Sequence, residues 1–196
     1  MLSSRNVEIE SSNQEPLTAE SVVKRLVGFP PVADPSATVL ILGSMPGERS
    51  LVAGQYYAHP RNAFWPIMTR LIGLHPDDSY PVRLAALKGA GIALWDVLRS
   101  CEREGSLDIR IASESMETND FQGFFRHHPD IQRVYFNGAA SEKYFRKHVL
   151  PGLSLAGLEF CRLPSTSPAC AISFDKKLDA WQRVTTISPE SPNRIH

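Results

Sequence analysis

The chain predicts an α/β domain, a four-stranded parallel sheet flanked by helices on both faces. Four short, apolar, strand-like runs, over 38–42, 92–94, 133–136 and 159–163, are separated by stretches whose apolar residues recur at helical spacing. Strands buried on both faces read as unbroken apolar runs, and right-handed crossovers lay the connecting helices on both sides of such a sheet. The length of 196 residues suits one domain, at the customary ~150 residues per domain.

Residues 1–16 and 188–196 are rich in Ser, Asn, Glu and Pro and read as mobile tails around a single domain over 17–187. At its start Thr18 is placed to cap a short helix carrying Val22, Val23, Leu26 and Val27, which Pro30 and Pro31 end. The first strand, 38–42, follows. Helical periods over 64–72 and 82–88 lead to the strand at 92–94, and another over 121–126 leads to the strand at 133–136. A helix over 139–149 precedes the last strand, 159–163, and a helix over 173–185 closes the domain. Ligands bind beyond the carboxyl ends of the strands in a sheet of this kind, so chemistry is expected in the loops after Leu42, Leu94, Phe136 and Leu163.

Composition narrows the function. Hydrophobic residues at 42% and charged residues at 21% are ordinary globular usage, which excludes disordered, collagen-like and coiled-coil chains. Lys plus Arg equals Asp plus Glu at 21 each, so attraction to a polyanion has to come from local placement of charge. Cys101, Cys161 and Cys170 are odd in number and lack CxxC or zinc-finger spacing, so neither a disulfide framework nor a metal or other cofactor is expected. A polar, acidic N-terminus and the lack of any long apolar run suggest a cytoplasmic protein without membrane contact. No GxSxG elbow marks a serine hydrolase.

The loop after the first strand carries most of the information. Gly43 and Gly47 around Pro46 suit a strand-to-helix turn, but match neither a Walker A nor a GxGxxG phosphate cradle. The stretch 55–65 then gathers Tyr56, Tyr57, His59, Arg61 and Asn62, a density unusual for a connector. Rings stack on nucleobases, Arg and backbone N–H groups hold phosphates, and an Asn amide orients a water or a base edge. Phe64 and Trp65 read as helix core. For His59, a local turn contact stands beside a phosphate contact or a catalytic role.

Residues 43–65, GSMPGERSLVAGQYYAHPRNAFW, resemble the first motif of the uracil-DNA glycosylase superfamily, most closely its hypoxanthine-DNA glycosylase family. GIALWD at 91–96, VYFNG at 134–138 and LPSTSPA at 163–169 extend the resemblance over roughly 28–185. It implies a monofunctional enzyme that flips a deaminated base of DNA into a pocket above the strand ends and directs water to the sugar C1′. Asn62 takes the place of the catalytic Asn that positions the water. Met45 stands where the mismatch-specific relatives carry an Asn. An N-cap of the following helix is the other reading of Asn62.

Gly43, Ser44, Met45, Tyr57, Asp96 and Asn137 fall at base-binding positions. Tyr57 stands where a ring meets the extruded base, or is a partly buried core residue. Asp96 stands where uracil-specific members read the base with an Asn. Deamination of adenine turns N1 into a donor and replaces the amine by a carbonyl; an ionised Asp96 accepts from N1–H and repels O6, whereas a protonated one satisfies both. A helix cap is the alternative for Asp96, and likewise for Asn137. His59, Arg61, Ser165 and Ser167 are placed to hold phosphates, with Pro168 and Ala169 leading into a wedge for the vacated stack. Cys170 replaces an Asn common in that motif.

Overall fold

The computed structural model describes residues 25–154 and 157–186, so the expected tails and the Thr18, Val22 and Val23 part of the first helix lie outside the described residues. The predicted sheet is present. Its strands, β2 (Val39–Gly43), β3 (Ile92–Asp96), β6 (Arg133–Asn137) and β7 (Glu159–Leu163), run parallel in the order β3-β2-β6-β7. The apolar runs of β2, β3 and β6 alternate between two cores. Leu40, Leu42, Ala93, Trp95, Val134 and Phe136 point to the face covered by α4 (Phe121–His127) and α5 (Ala139–Tyr144). Val39, Ile41, Ile92, Leu94 and Tyr135 point to the face covered by α2 (Phe64–Ile72), α3 (Tyr80–Gly89) and α6 (Phe174–Trp181). Period-two alternation with both faces apolar is the pattern that demands helices on both sides.

Several elements differ from expectation. Leu26 and Val27, read as helical, belong to β1 (Arg25–Val27), which pairs antiparallel with β4 (Leu98–Glu102), placing Leu26 opposite Cys101. Leu26 packs against the core while Arg25 and Val27 face outward, and three residues do not distinguish that alternation from one turn of helix. With β5 (Glu117–Thr118), β1 and β4 form a second, three-stranded sheet that sequence periodicity did not reveal. The first loop contains a helix of its own, α1 (Glu48–Ala53). The helix expected over 139–149 is α-helical to Tyr144 and continues as a π-turn over Phe145–Val149, and the last helix ends at Trp181 in a 3₁₀ turn. Among the described residues no helix is long and apolar enough to cross a membrane.

Register is what positions the site. Gly43, the last residue of β2, lies beside Asp96, the last of β3, and Leu42 lies beside Phe136, so Asn137 follows at the same level on β6. Three loops therefore leave the sheet side by side at its carboxyl edge.

Candidate active site

A cavity of about 380 Å³ opens above that edge. Gly43, Ser44, Met45, Tyr57, His59, Asn62, Asp96, Asn137, Ser165, Ser167, Pro168 and Ala169 all line it, although they come from four separate parts of the chain. Arg61 does not line it. The residue is exposed, and its backbone N–H donates to His59 Nδ1 at 3.1 Å.

Asp96 forms the floor. It is followed by Val97 and β4 and caps no helix, since Val97 N–H is taken by the Gly43 carbonyl at 2.9 Å. The carboxyl is buried, and Oδ2 has no hydrogen-bond partner among the described residues. Burial, and secondly the nearby carboxyl of Asp108, push its pKa up to about 8, with Arg103 pulling the other way. Asp96 is thus mainly a neutral acid at pH 7, presenting a donor and an acceptor in one plane. Gly43 makes room for it: a Cβ there would lie 2.2 Å from Asp96 Oδ1 and 3.2 Å from the Tyr57 hydroxyl.

Tyr57 adopts φ +56°, a left-handed conformation that costs a non-glycine residue about 1–2 kcal/mol. Its neighbours impose it. Tyr80 Oη accepts from Tyr56 N–H at 2.9 Å, Trp65 Nε1 donates to the Tyr56 carbonyl at 2.8 Å, and Ser50 Oγ accepts from Ala58 N–H at 3.2 Å. The ring stacks on Phe64 with centroids 4.1 Å apart, and its hydroxyl accepts from Asn137 Nδ2 at 3.0 Å. Burial first, and then Asp96, raise the phenol's pKa, so it stays protonated.

Asn62 does not cap α2, whose N-cap is Ala63, but stands one residue before it. Oδ1 accepts from Phe64 N–H at 3.0 Å at the mouth of α2, while Nδ2 has no partner among the described residues. The helix proper starts after Ala63, so this bond is an Asx turn that fixes the amide plane and leaves the NH₂ edge for a ligand. Asn137 behaves differently. Nδ2 donates to Tyr57 Oη and to Thr166 Oγ1 at 2.8 Å, and Oδ1 accepts from Thr166 N–H at 2.8 Å. Its amide hydrogens are consumed in joining three loops, and it caps no helix.

The loop after β7 is held from below. Gly138, at φ +101°, lets Ser165 approach so closely that a Cβ would lie 2.9 Å from the serine Cβ. Buried Lys177 donates from Nζ to the carbonyls of Ser167 at 3.2 Å and Cys170 at 3.0 Å, and Trp181 Nε1 donates to the Pro164 carbonyl at 2.9 Å.

The family model of the Uracil DNA glycosylase superfamily matches residues 30–186. The chain belongs to that superfamily. Two curated relatives named hypoxanthine DNA glycosylase are similar over most of their length. The one from Methanosarcina barkeri is 39% identical over 155 residues, 79% of this chain and 94% of the relative. The one from Methanosarcina acetivorans is 37% identical over 164 residues, 83% of this chain and 98% of the relative. A solution NMR structure of a candidate uracil DNA glycosylase from Methanosarcina acetivorans matches with a TM-score of 0.68 at 33% identity, covering 83% of this chain and all (100%) of that one.

The cavity also has lining residues that no sequence motif singles out, the turn with Ser106 and Asp108 above all. Asp108, Ser106 and Thr166 line it, and Asp108 Oδ1 accepts from the Ser44 hydroxyl at 2.7 Å. Arg103, buried nearby, donates from Nε to the Gly105 carbonyl at 2.8 Å and from Nη2 to the Pro46 carbonyl at 2.6 Å, tying the turn that carries Asp108 to the first loop. Residues 103–112 show neither periodicity nor a motif, so only the fold brings Asp108 back to Ser44, 64 positions away.

Proposed function

We propose that this protein is a monofunctional DNA glycosylase of the cytoplasm that hydrolyses the N-glycosidic bond of deaminated bases, hypoxanthine foremost, and leaves an abasic site. The observation that carries the reading is Asp96, a buried carboxyl pushed up to about 8 at the floor of the cavity. As a neutral acid it donates to O6 and accepts from N1–H of hypoxanthine, the lactam edge that deamination creates.

The remaining steps follow from the residues around it. The flipped base enters beside Tyr57, whose rear is held by Phe64 and whose hydroxyl is held by Asn137. Asn62, its plane locked by Phe64 N–H, positions the water that attacks C1′. Water forms the new C1′–O bond as the C1′–N bond breaks, with the electron pair leaving on the base. Ser165 and Ser167, on the loop held by Lys177, face the flanking phosphates, and Pro168 with Ala169 carries the wedge. Uracil offers the same lactam edge, so it is the competing substrate within this chemistry.

Oligonucleotides with one deoxyinosine or one deoxyuridine, incubated with enzyme and then cleaved by alkali at abasic sites, test the reading. Wild type is expected to cut the deoxyinosine strand faster. Asp96→Asn, whose amide keeps a donor and an acceptor, is expected to retain cutting at pH 7, whereas Asp96→Ala loses it. No cutting of either strand by wild type would refute the enzymatic reading, and an Asp96→Asn variant as inactive as Asp96→Ala would refute the neutral-carboxyl one.

A further inference from the structure

We propose that Asp108 is a second catalytic carboxyl, the general acid that delivers a proton to N7 of the departing purine. The assignment rests on the reading above, in which the cavity receives hypoxanthine with its lactam edge toward Asp96. Gly43 and Ser44 are consecutive, and each is tied to one carboxyl: Gly43 lies against Asp96 in the sheet register, and the Ser44 hydroxyl donates to Asp108 Oδ1 at 2.7 Å. A base lying across the Gly43–Ser44 backbone therefore has Asp96 on one edge and Asp108 on the adjoining one. In hypoxanthine the edge adjoining O6 carries N7, the imidazole nitrogen and the most basic atom left once N1–H and O6 are engaged.

The carboxyl is built to stay in place. Asp108 opens the 3₁₀ turn Asp108–Arg110, its backbone carbonyl accepts from Tyr144 Oη at 3.2 Å, and Arg103 clamps the preceding Gly105. Oδ1 is engaged by Ser44, while Oδ2 has no partner among the described residues and is left to carry and donate a proton. Burial raises its pKa, against smaller opposing effects of the Ser44 hydrogen bond and the Arg103 charge. Burial thus favours the protonated carboxyl relative to an exposed aspartate.

The step balances without a further reactant. As the C1′–N9 bond breaks, its electron pair stays with the purine. The proton moves from Asp108 Oδ2 to N7, and hypoxanthine leaves as a neutral tautomer. Water positioned by Asn62 forms the C1′–O bond and releases a proton to bulk solvent, from which Asp108 is reprotonated. A pyrimidine has no imidazole nitrogen and gains nothing from this proton, so Asp108 favours purine excision on a frame shared with uracil-cleaving relatives.

The experiment is a cycle between enzyme and substrate. Single-turnover excision, with enzyme in excess, is measured for wild type and Asp108→Asn on oligonucleotides holding deoxyinosine or 7-deaza-2′-deoxyinosine. The asparagine retains an acceptor for Ser44 and has no proton to transfer. Wild type is expected to be slower on the 7-deaza base by roughly 100-fold, and Asp108→Asn slower on deoxyinosine by a similar factor, the usual range for a general acid. On the 7-deaza base the two enzymes should match. If Asp108→Asn loses the same factor on both bases, Asp108 acts only by shaping the cavity, and the assignment is overturned. Equal wild-type rates on the two bases overturn it independently of how the variant folds. If wild type leaves deoxyinosine uncut, the functional reading itself falls, and this assignment with it.

Discussion

Asn62 is placed to serve both local structure and the proposed chemistry, because its oxygen is taken by Phe64 N–H while its nitrogen has no partner among the described residues. Replacing it with alanine removes the acceptor for Phe64 N–H as well as the amide that faces the cavity. Asn62→Ala is expected to lower single-turnover excision by roughly 100-fold, as loss of one catalytic dipole does. It should also cost about 1 kcal/mol of stability from the lost turn at the helix mouth. Thermal unfolding separates the two effects, and an unchanged rate would remove Asn62 from the chemistry. Gly43 is constrained just as tightly by space. In Gly43→Ala the new Cβ meets Asp96 Oδ1 at 2.2 Å, and the strand backbone cannot yield between β3 and β6. The variant is expected to fold with Asp96 displaced and to lose base capture by tenfold or more, roughly the effect of one misplaced bidentate contact. Binding to a non-cleavable lesion duplex checks it.

At the scale of elements, the loop after β7 owes its shape to α6. Lys177 is buried without a carboxylate partner among the described residues, and its charge is met by the carbonyls of Ser167 and Cys170. Lys177→Met keeps much of the aliphatic packing and leaves both carbonyls without that donor, at a cost of about 1–3 kcal/mol. Because the loop carries the proposed phosphate and wedge positions, affinity for abasic product DNA is expected to fall about tenfold, equivalent to about 1.4 kcal/mol. The rate at saturating enzyme should change less. Fluorescence anisotropy and single-turnover kinetics distinguish these outcomes, and a rate loss without an affinity loss would place the loop in the chemical step instead.

For the whole molecule, Asp96 and Asp108 link stability to pH in one direction. Both carboxyls have folded pKa values raised above the reference of 3.8. Between the unfolded and folded values the folded state holds more protons than the unfolded one, so stability is full below the lower value and is lost as pH rises. For Asp96 that window runs from 3.8 to about 8. The melting temperature is expected to decline from pH 5 to pH 8.5 and to decline less in Asp96→Asn, which has no charge to bury. Excision of deoxyinosine should fall over the alkaline part of the same range in wild type and fall less in the variant, since an ionised Asp96 repels O6. A melting temperature that rises with pH over this interval would mean that Asp96 is ionised in the folded protein.

The sequence by itself determined the parallel sheet and its helical layers, because continuous apolar strands and 3.6-residue periods are set residue by residue and need no knowledge of neighbours. It also determined which loops line the cavity, since the strand ends and the density of polar and aromatic residues over 55–65 are local properties. The tertiary structure decided the rest. The second sheet rests on strands as short as β5, Glu117–Thr118, whose partners lie far along the chain, so no local period marks them. Asn137 proved to be a brace among loops because Thr166, 29 positions away, takes up its amide. Asp108 entered the site through a fold-dependent contact with Ser44. The protonation of Asp96 was equally out of reach, for a carboxyl's charge depends on how much water and which charges surround it, and those are fixed only when β2, β3 and the Asp108 turn close over it.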